Sequence, residues 1–377
     1  SQELDGQGAF EASATALERA ARLYDDGTHT DGSTEHVRLA LRRVTVLDKA
    51  GDPLRSLDSR VDLLWAIRGM LWHTYRGSTN EMMAKNPVAA QHMRDVRGRL
   101  DALVASGRLR DAARAVGRLP PGTPGAQEVI RAALGWAASF KDSAEFPMLA
   151  ALLHRSAASE TKDPAERKRE LGLARDLFVE AKSTTEAAFA ERQLMERADS
   201  ETELWALADA CWGLAGSSAR DRAECVMGIG AYLIRGARSY ADKERVRSAI
   251  ARGREVLPEF DPASGITERY RLRTHIGVLA AEVGDVPTFD RMLEDIRDYY
   301  VRQQPDAYQF VSYQASFASS AARFDPKRSV ALWREFDAAH GASDYWRSFE
   351  YPGVAKTARL AHDVEAERYF LEAGRAA

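Results

Sequence analysis

Residues 268–298 constrain the fold more than any other part of the sequence, because two amphipathic helical patterns meet there at a short turn. In residues 272–283, apolar side chains recur at three- and four-residue steps, which places them on one face of a helix. Gly284 can adopt the left-handed conformation that ends a helix, and Asp285 can cap the next one. A second apolar stripe follows in residues 289–296. Two short helices cannot bury both stripes alone, so the pattern predicts that further hairpins stack against this one.

Similar turn signals recur along the C-terminal part of the chain at steps of about 40 residues, which is within the range of helical repeats. The markers of these turns are Ala241, Gly284, Phe324 and His362. The recurrence predicts a row of helical hairpins.

The register of the 268–298 hairpin resembles the tetratricopeptide repeat. Ile276 and Gly277 occupy the positions of that family's Leu-Gly pair, and Gly284 begins its turn. Phe289 stands where the family has a small residue, usually alanine, and this departure predicts that the two helices are pushed apart. The resemblance covers about the last 140 residues and is specific at residues 276–285. It implies a right-handed α-α superhelix, or solenoid, of stacked antiparallel helical hairpins.

The whole chain is predicted to be all-α, because no segment shows the alternating pattern of a strand over more than a few residues. The strongest helix breaker is the Pro-Pro-Gly-Thr-Pro-Gly segment at 120–125. We therefore predict four parts: a frayed N-terminus at 1–8, an N-terminal helical block at 9–119, a Pro/Gly linker at 120–125, and tetratricopeptide-like repeats at 126–377.

The charge balance argues against a nucleic-acid partner. The 53 Lys and Arg residues nearly match the 56 Asp and Glu residues, and the net charge is −3. No membrane insertion is expected, since the longest apolar stretch, residues 61–72, contains Asp62 and Arg68 and is too short to span a bilayer. A cytoplasmic location is favoured, and an exported one is possible if a signal peptide was removed before Ser1.

The two cysteines, Cys211 and Cys225, provide no disulfide framework. We expect each to pack as a small buried apolar residue, which favours a reducing compartment.

No cofactor or metal site is predicted from the sequence. Gly228-Ile229-Gly230 resembles a phosphate-binding glycine pair, but it has no preceding strand, and close packing of helices explains it better. The residues nearest to a metal-ligand set are His29, Asp31, Glu35 and His36, and they are interpreted as polar loop residues. No nucleophile-elbow or paired-His motif is present.

Aromatic residues concentrate near the C-terminus, where Phe310, Tyr313 and Phe317 recur at helical spacing. Such residues fill the core between hairpins, and Tyr and Trp beside Arg are also typical of recognition surfaces. Both roles fit different faces of the same helices.

Three functions remain open on the sequence alone. The first is a non-catalytic scaffold whose concave face binds a protein or peptide partner. The second is an enzyme on an α/α-toroid scaffold of the glycosidase type, and the third is a peptide-sensing regulatory module.

For the scaffold, the tetratricopeptide resemblance implies that the first helix of each hairpin lines the groove. The implied partner-binding residues are Arg271, Thr274, Val278, Gln314, Lys356 and Arg359. The three cationic residues favour an acidic or polar segment, and no catalytic residue is assigned.

Overall fold

The computed structural model describes residues 12–13, 16, 33–50, 53–75, 79–236, 239–263, 266–303, 307–340 and 350–375. Within these residues the chain contains 18 α-helices and no strand, which confirms the all-α prediction. The chain divides into two compact units, Ser1–Ser183 and Thr184–Ala377. The predicted frayed segment at 1–8 lies outside the described residues, as do His29, Asp31 and the side chain of Phe310.

The described part of the first unit contains eight helices, and neighbours in sequence pack against one another. The long helix α2 contacts α1, α3, α4 and α5, and its Leu57, Val61, Leu64 and Ile67 lie on one buried face. The helices are α1 Ser33–Ala50, α2 Pro53–Tyr75, α3 Thr79–Lys85, α4 Pro87–Ala105, α5 Leu109–Val116, α6 Ala126–Ala138, α7 Phe146–Glu160 and α8 Pro164–Glu180.

The 120–125 segment lies within the first unit and is tied to its neighbours. The Gly122 N–H donates to Glu160 Oε1 at 2.8 Å, and Arg68 Nε donates to the Pro121 carbonyl at 3.2 Å. Gly122 has φ +79°, and a Cβ added there would lie 2.7 Å from Asn80 Cα, so only glycine fits. The segment thus interrupts the helices and is hydrogen-bonded within the first unit. The predicted division into 9–119, 120–125 and 126–377 stays a prediction.

The described part of the second unit contains ten helices arranged as consecutive pairs. We call α9, α11, α13 and α15 first helices. Each contacts the helix that follows it in sequence, and α9, α11 and α13 each also contact the next first helix. These sequential contacts are those of stacked helices. The ten helices are α9 Thr184–Met195, α10 Glu201–Ala215, α11 Ala219–Gly236, α12 Lys243–Ala263, α13 Ile266–Val283, α14 Val286–Gln303, α15 Ala307–Ala321, α16 Pro326–His340, α17 Tyr351–Leu360 and α18 Val364–Arg375.

The turn between α13 and α14 has the predicted chemistry. Gly284 adopts φ +71°, and the Asp285 side chain accepts from the Thr288 N–H at 3.2 Å. The other marked turns use the same cap, since Asp242, Asp325 and Asp363 each accept a backbone N–H of the helix that follows. The recurring turns are therefore confirmed as helix starts.

Glycine allows close helix approach at the positions where the sequence indicated it. A Cβ at Gly230 would lie 2.6 Å from the Cβ of His275, and one at Gly228 would lie 2.6 Å from Cε of Met195. Phe289 does not keep its hairpin apart, because α13 and α14 remain in contact. Its buried ring instead packs against Phe317 and Phe324, with ring centroids 5.1 and 5.2 Å away.

Cys211 and Cys225 form a disulfide that links α10 to α11, with their Cα atoms 5.7 Å apart. Both are fully buried, as expected, but the expectation that they stay unpaired is wrong. The turn around Gly216 folds α11 back on α10 and brings the two thiols together, a geometry that two isolated cysteines in a sequence do not indicate. The argument for a reducing compartment therefore no longer holds.

Replacing both cysteines by alanine is expected to lower the free energy of unfolding by about 3 kcal/mol, because a crosslink that closes a loop of this size restricts the unfolded chain. Urea titration followed by circular dichroism measures the change. The reduced parent chain should unfold at the midpoint of the double variant. Equal unfolding midpoints for the oxidised and the reduced parent chain would contradict the disulfide between Cys211 and Cys225.

Candidate functional site

A row of polar side chains crosses the first helices of the second unit, one from each of four consecutive first helices. We call Arg192 of α9, Glu224 of α11, Arg271 of α13 and Tyr313 of α15 the polar ladder. Arg192 Nε lies 2.6 Å from Glu224 Oε2, and its Nη1 donates to Glu196 Oε1 at 2.8 Å. Burial among apolar helices makes such pairing necessary, because an unpaired buried charge is costly.

Arg271 interacts electrostatically with the residues on both sides of it in the ladder, Glu224 and Tyr313. Burial raises the pKa of Glu224; Arg192 and Arg271 oppose this rise, and Glu268 adds to it. Arg271 also donates a hydrogen bond to Tyr313, whose pKa is raised by burial in spite of this contact. The phenol therefore stays neutral at physiological pH and keeps its proton available for hydrogen bonding.

The structure places three of the predicted groove residues on α13. Arg271 belongs to the ladder and is half-buried. Thr274 is 3% exposed and Val278 is 1% exposed and part of the hydrophobic core. A partner reaches these last two side chains only if the packing around α13 opens, and their role stays a prediction.

The other three predicted residues lie further along the chain. Gln314 is half-buried on α15, directly after Tyr313. Lys356 and Arg359 are exposed on α17, where Arg359 pairs with Glu367 at 2.6 Å. The structure thus brings Arg271 and Gln314 onto adjacent first helices, and it places Lys356 and Arg359 on a helix that packs between α16 and α18.

Arg192 and Glu224 are not among the site residues predicted from the sequence. A search for apolar periodicity passes over single charged residues inside otherwise buried faces. The sequence does carry a signal for these two residues, since a single charged residue lies within the buried face of two successive first helices. That signal becomes informative only when the two helices are known to pack against each other.

A second polar group joins three helix ends. We call Glu282, Lys243, Arg323 and Ser239 the Glu282 cluster. The Glu282 carboxylate accepts from Lys243 Nζ, from Ser239 Oγ and Arg323 Nη1 at 2.5 Å each, and from the Tyr240 N–H at 2.9 Å. These donors come from the start of α12, the segment before it and the turn after α15, so one carboxylate connects consecutive hairpins.

The electrostatics of Glu282 reflect this crowding of donors. Burial by itself raises the pKa of Glu282, but the hydrogen bonds from Lys243, Ser239 and Tyr240, with the charge of Arg323, outweigh it and lower the pKa. The cluster is satisfied internally, so its role is to hold helices together.

The described residues contain no group of three or more His, Cys, Asp or Glu side chains arranged to hold a metal ion. None of their helices is long and apolar enough to cross a membrane.

Comparison with protein-family models gives no match, and neither does comparison with curated proteins. The structure establishes an all-helical protein in which, over the described residues, 18 helices pack in sequence. The likeness of residues 276–285 to the tetratricopeptide repeat remains a resemblance.

Proposed function

We propose that the second unit is a tetratricopeptide-like solenoid and that it acts as a non-catalytic scaffold, binding a protein or peptide segment along its first helices. The polar ladder carries this proposal, since it supplies one polar side chain from each of four consecutive first helices. Repeat proteins typically bind extended partners in this way, with each repeat contributing a few contacts to one continuous surface.

The chemistry of the ladder favours an acidic or polar partner. Arg and Tyr are enriched among the residues that dominate binding energies at interfaces, and Arg271 and Tyr313 already contact each other. Gln314, Lys356 and Arg359 extend the same preference along the chain. Thr274 and Val278 follow Arg271 on α13 and are buried, so in this proposal they hold in place the helix that presents Arg271.

The test selects peptides from a random 12-residue display library on the full chain and measures their binding by fluorescence polarisation. We expect selected peptides to be rich in Asp and Glu. A triple variant, Arg271→Ala, Lys356→Ala, Arg359→Ala, should bind them about tenfold more weakly, because exposed charged contacts contribute about 0–1 kcal/mol each.

The matched control removes three cationic residues that are exposed and lie outside the proposed site, Arg131, Lys141 and Arg368. This control variant should bind and melt like the parent chain. Binding of the first triple variant is measured at a temperature at which circular dichroism shows it to be folded. Undiminished binding by the first triple variant, or selection of basic peptides, would refute the assignment of the surface.

A further inference from the structure

A cavity of about 630 Å³ opens between α12, α13 and α14 in the second unit. Leu257 and Pro258 of α12 and Met292 of α14 give it an apolar wall. Three arginines, Arg254, Arg273 and Arg291, also line it, one from each helix. Its size is that of a binding site for a small molecule or a few side chains.

The arginines of the cavity are not equivalent. Arg273 Nε lies 3.3 Å from Asp295 Oδ2, so this pair is neutral. Arg254 and Arg291 are exposed, and neither has an ion pair or hydrogen bond among the described residues. Glu255 supplies one further carboxylate, which leaves the rim with a local net positive charge in a chain of net charge −3.

Three other arginines of α12 and α14, Arg245, Arg247 and Arg297, have acidic partners. Arg245 of α12 binds Asp209, and Arg297 of α14 binds both oxygens of Glu335 at 2.7 Å. Arg254 and Arg291 differ from these three arginines, because no carboxylate among the described residues pairs with them.

The neighbouring space between α10 and α12 shows how this protein fills such a gap. There the guanidinium of Arg245 lies 4.7 Å from the centre of the Trp205 ring and makes two 2.6 Å bonds to the Asp209 carboxylate. Arg252 stacks in the same way on Trp212, at 4.7 Å. Only about 70 Å³ remains open in that gap.

Trp205 and Asp209 are four residues apart on α10, so they lie on one face of the helix. The described residues that line the α12–α14 cavity include no aromatic side chain. The cavity thus has arginines, as the first gap does, but no aromatic ring. Its own carboxylates, Asp295 and Glu255, leave Arg254 and Arg291 without an ion pair among the described residues.

We propose that this cavity binds a helical segment of a partner protein that carries an aromatic side chain followed four residues later by a carboxylate. The ring occupies the space beside Leu257 and Met292, where a guanidinium can lie over its face. The carboxylate pairs with Arg254 or Arg291. This site goes beyond the proposed function, since it shares no residue with the surface assigned to Arg271, Gln314, Lys356 and Arg359.

The test uses the full chain and a fluorescein-labelled, alanine-based helical peptide with Trp and Asp four residues apart. Two control peptides carry Lys in place of Asp, or Ala in place of Trp. Fluorescence polarisation at low salt should show binding of the first peptide and at least tenfold weaker binding of each control.

The variant Arg254→Ala, Arg291→Ala should lose at least tenfold in affinity for the Trp/Asp peptide. The control variant Arg131→Ala, Arg368→Ala makes the same charge change at exposed positions outside the cavity and should bind like the parent. The triple variant at Arg271, Lys356 and Arg359 should also bind normally, which separates this site from the proposed function.

Three results would overturn the proposal. They are no binding of the Trp/Asp peptide by the parent chain, equal affinity of the Arg254/Arg291 variant and the parent, and equal binding of the Trp and Ala peptides. If the Trp and Ala peptides bind equally and inorganic phosphate displaces both, the cavity is a simple anion site.

Discussion

Replacing Glu282 by alanine is expected to lower the free energy of unfolding by about 3 kcal/mol, because removing one partner of a buried ion pair leaves its counter-charges unmatched. The Glu282 side chain is 2% exposed and receives donors from Lys243, Arg323, Ser239 and the Tyr240 backbone. The loss lies at the lower end of the range for buried pairs, since Lys243 is 37% exposed and can be hydrated. Urea titration followed by circular dichroism measures it.

The lowered pKa of Glu282 also predicts a pH dependence. Its ordinary value is 4.5, and the folded state holds the carboxylate ionised to a lower pH. The stabilisation is therefore complete above pH 4.5 and is lost as the pH falls through the folded pKa. Glu282→Gln should remove this acid-sensitive component, whereas Glu259→Gln, at an exposed position on α12, should keep it. Identical acid profiles for parent and Glu282→Gln would contradict the role of the cluster.

Replacing Phe317 by alanine is expected to cost about 3–5 kcal/mol, the usual range for a buried phenylalanine. Phe317 is fully buried and packs on two sides. Its ring centroid is 5.1 Å from that of Phe289, and its Cε1 and Cζ atoms would lie 2.4 Å from a Cβ at Gly277. The ring thus joins α15 to both helices of the preceding hairpin. The midpoint of urea unfolding reports the loss.

A second substitution tests the contact between Gly277 and Phe317. Gly277→Ala should cost about 1–3 kcal/mol in the parent chain, because the new methyl group forces the Phe317 ring to move. In the Phe317→Ala background the clash is gone, and the same change should stabilise by up to ~1 kcal/mol through helix propensity. Gly213→Ala on α10 is the control, since a Cβ there meets nothing within 4 Å and should stabilise both backgrounds. The same sign for Gly277→Ala in both backgrounds would refute the contact.

The local features of the hairpins could be predicted because their causes are local. The cap by Asp285 and the left-handed Gly284 depend on residues within one turn of each other. In the first unit, α8 starts by the same short-range chemistry, because the Asp163 side chain accepts the Ala165 N–H at 2.9 Å. Apolar periodicity then fixed the helical class of the whole chain.

The candidate site was only partly predictable. Arg271 was identified from the register of one helix, but its electrostatic interaction with Glu224 and its hydrogen bond to Tyr313 involve two further helices. The register also placed Val278 on a groove, whereas helix packing buries it in the core. The position of a residue within its helix predicts the direction in which its side chain points. It does not predict whether a neighbouring helix covers that side chain.

The sequence by itself determined the helices, their turns and the row of hairpins, since these depend on periodicity and on caps within a few residues. Tertiary structure alone decided which distant groups meet. It paired Cys211 with Cys225, placed the Glu282 carboxylate among donors from neighbouring hairpins and left Arg254 and Arg291 at an open cavity. The physical reason is that these contacts depend on how closely the helices approach, and that distance is set by side-chain volumes on both partners, such as Gly277 against Phe317.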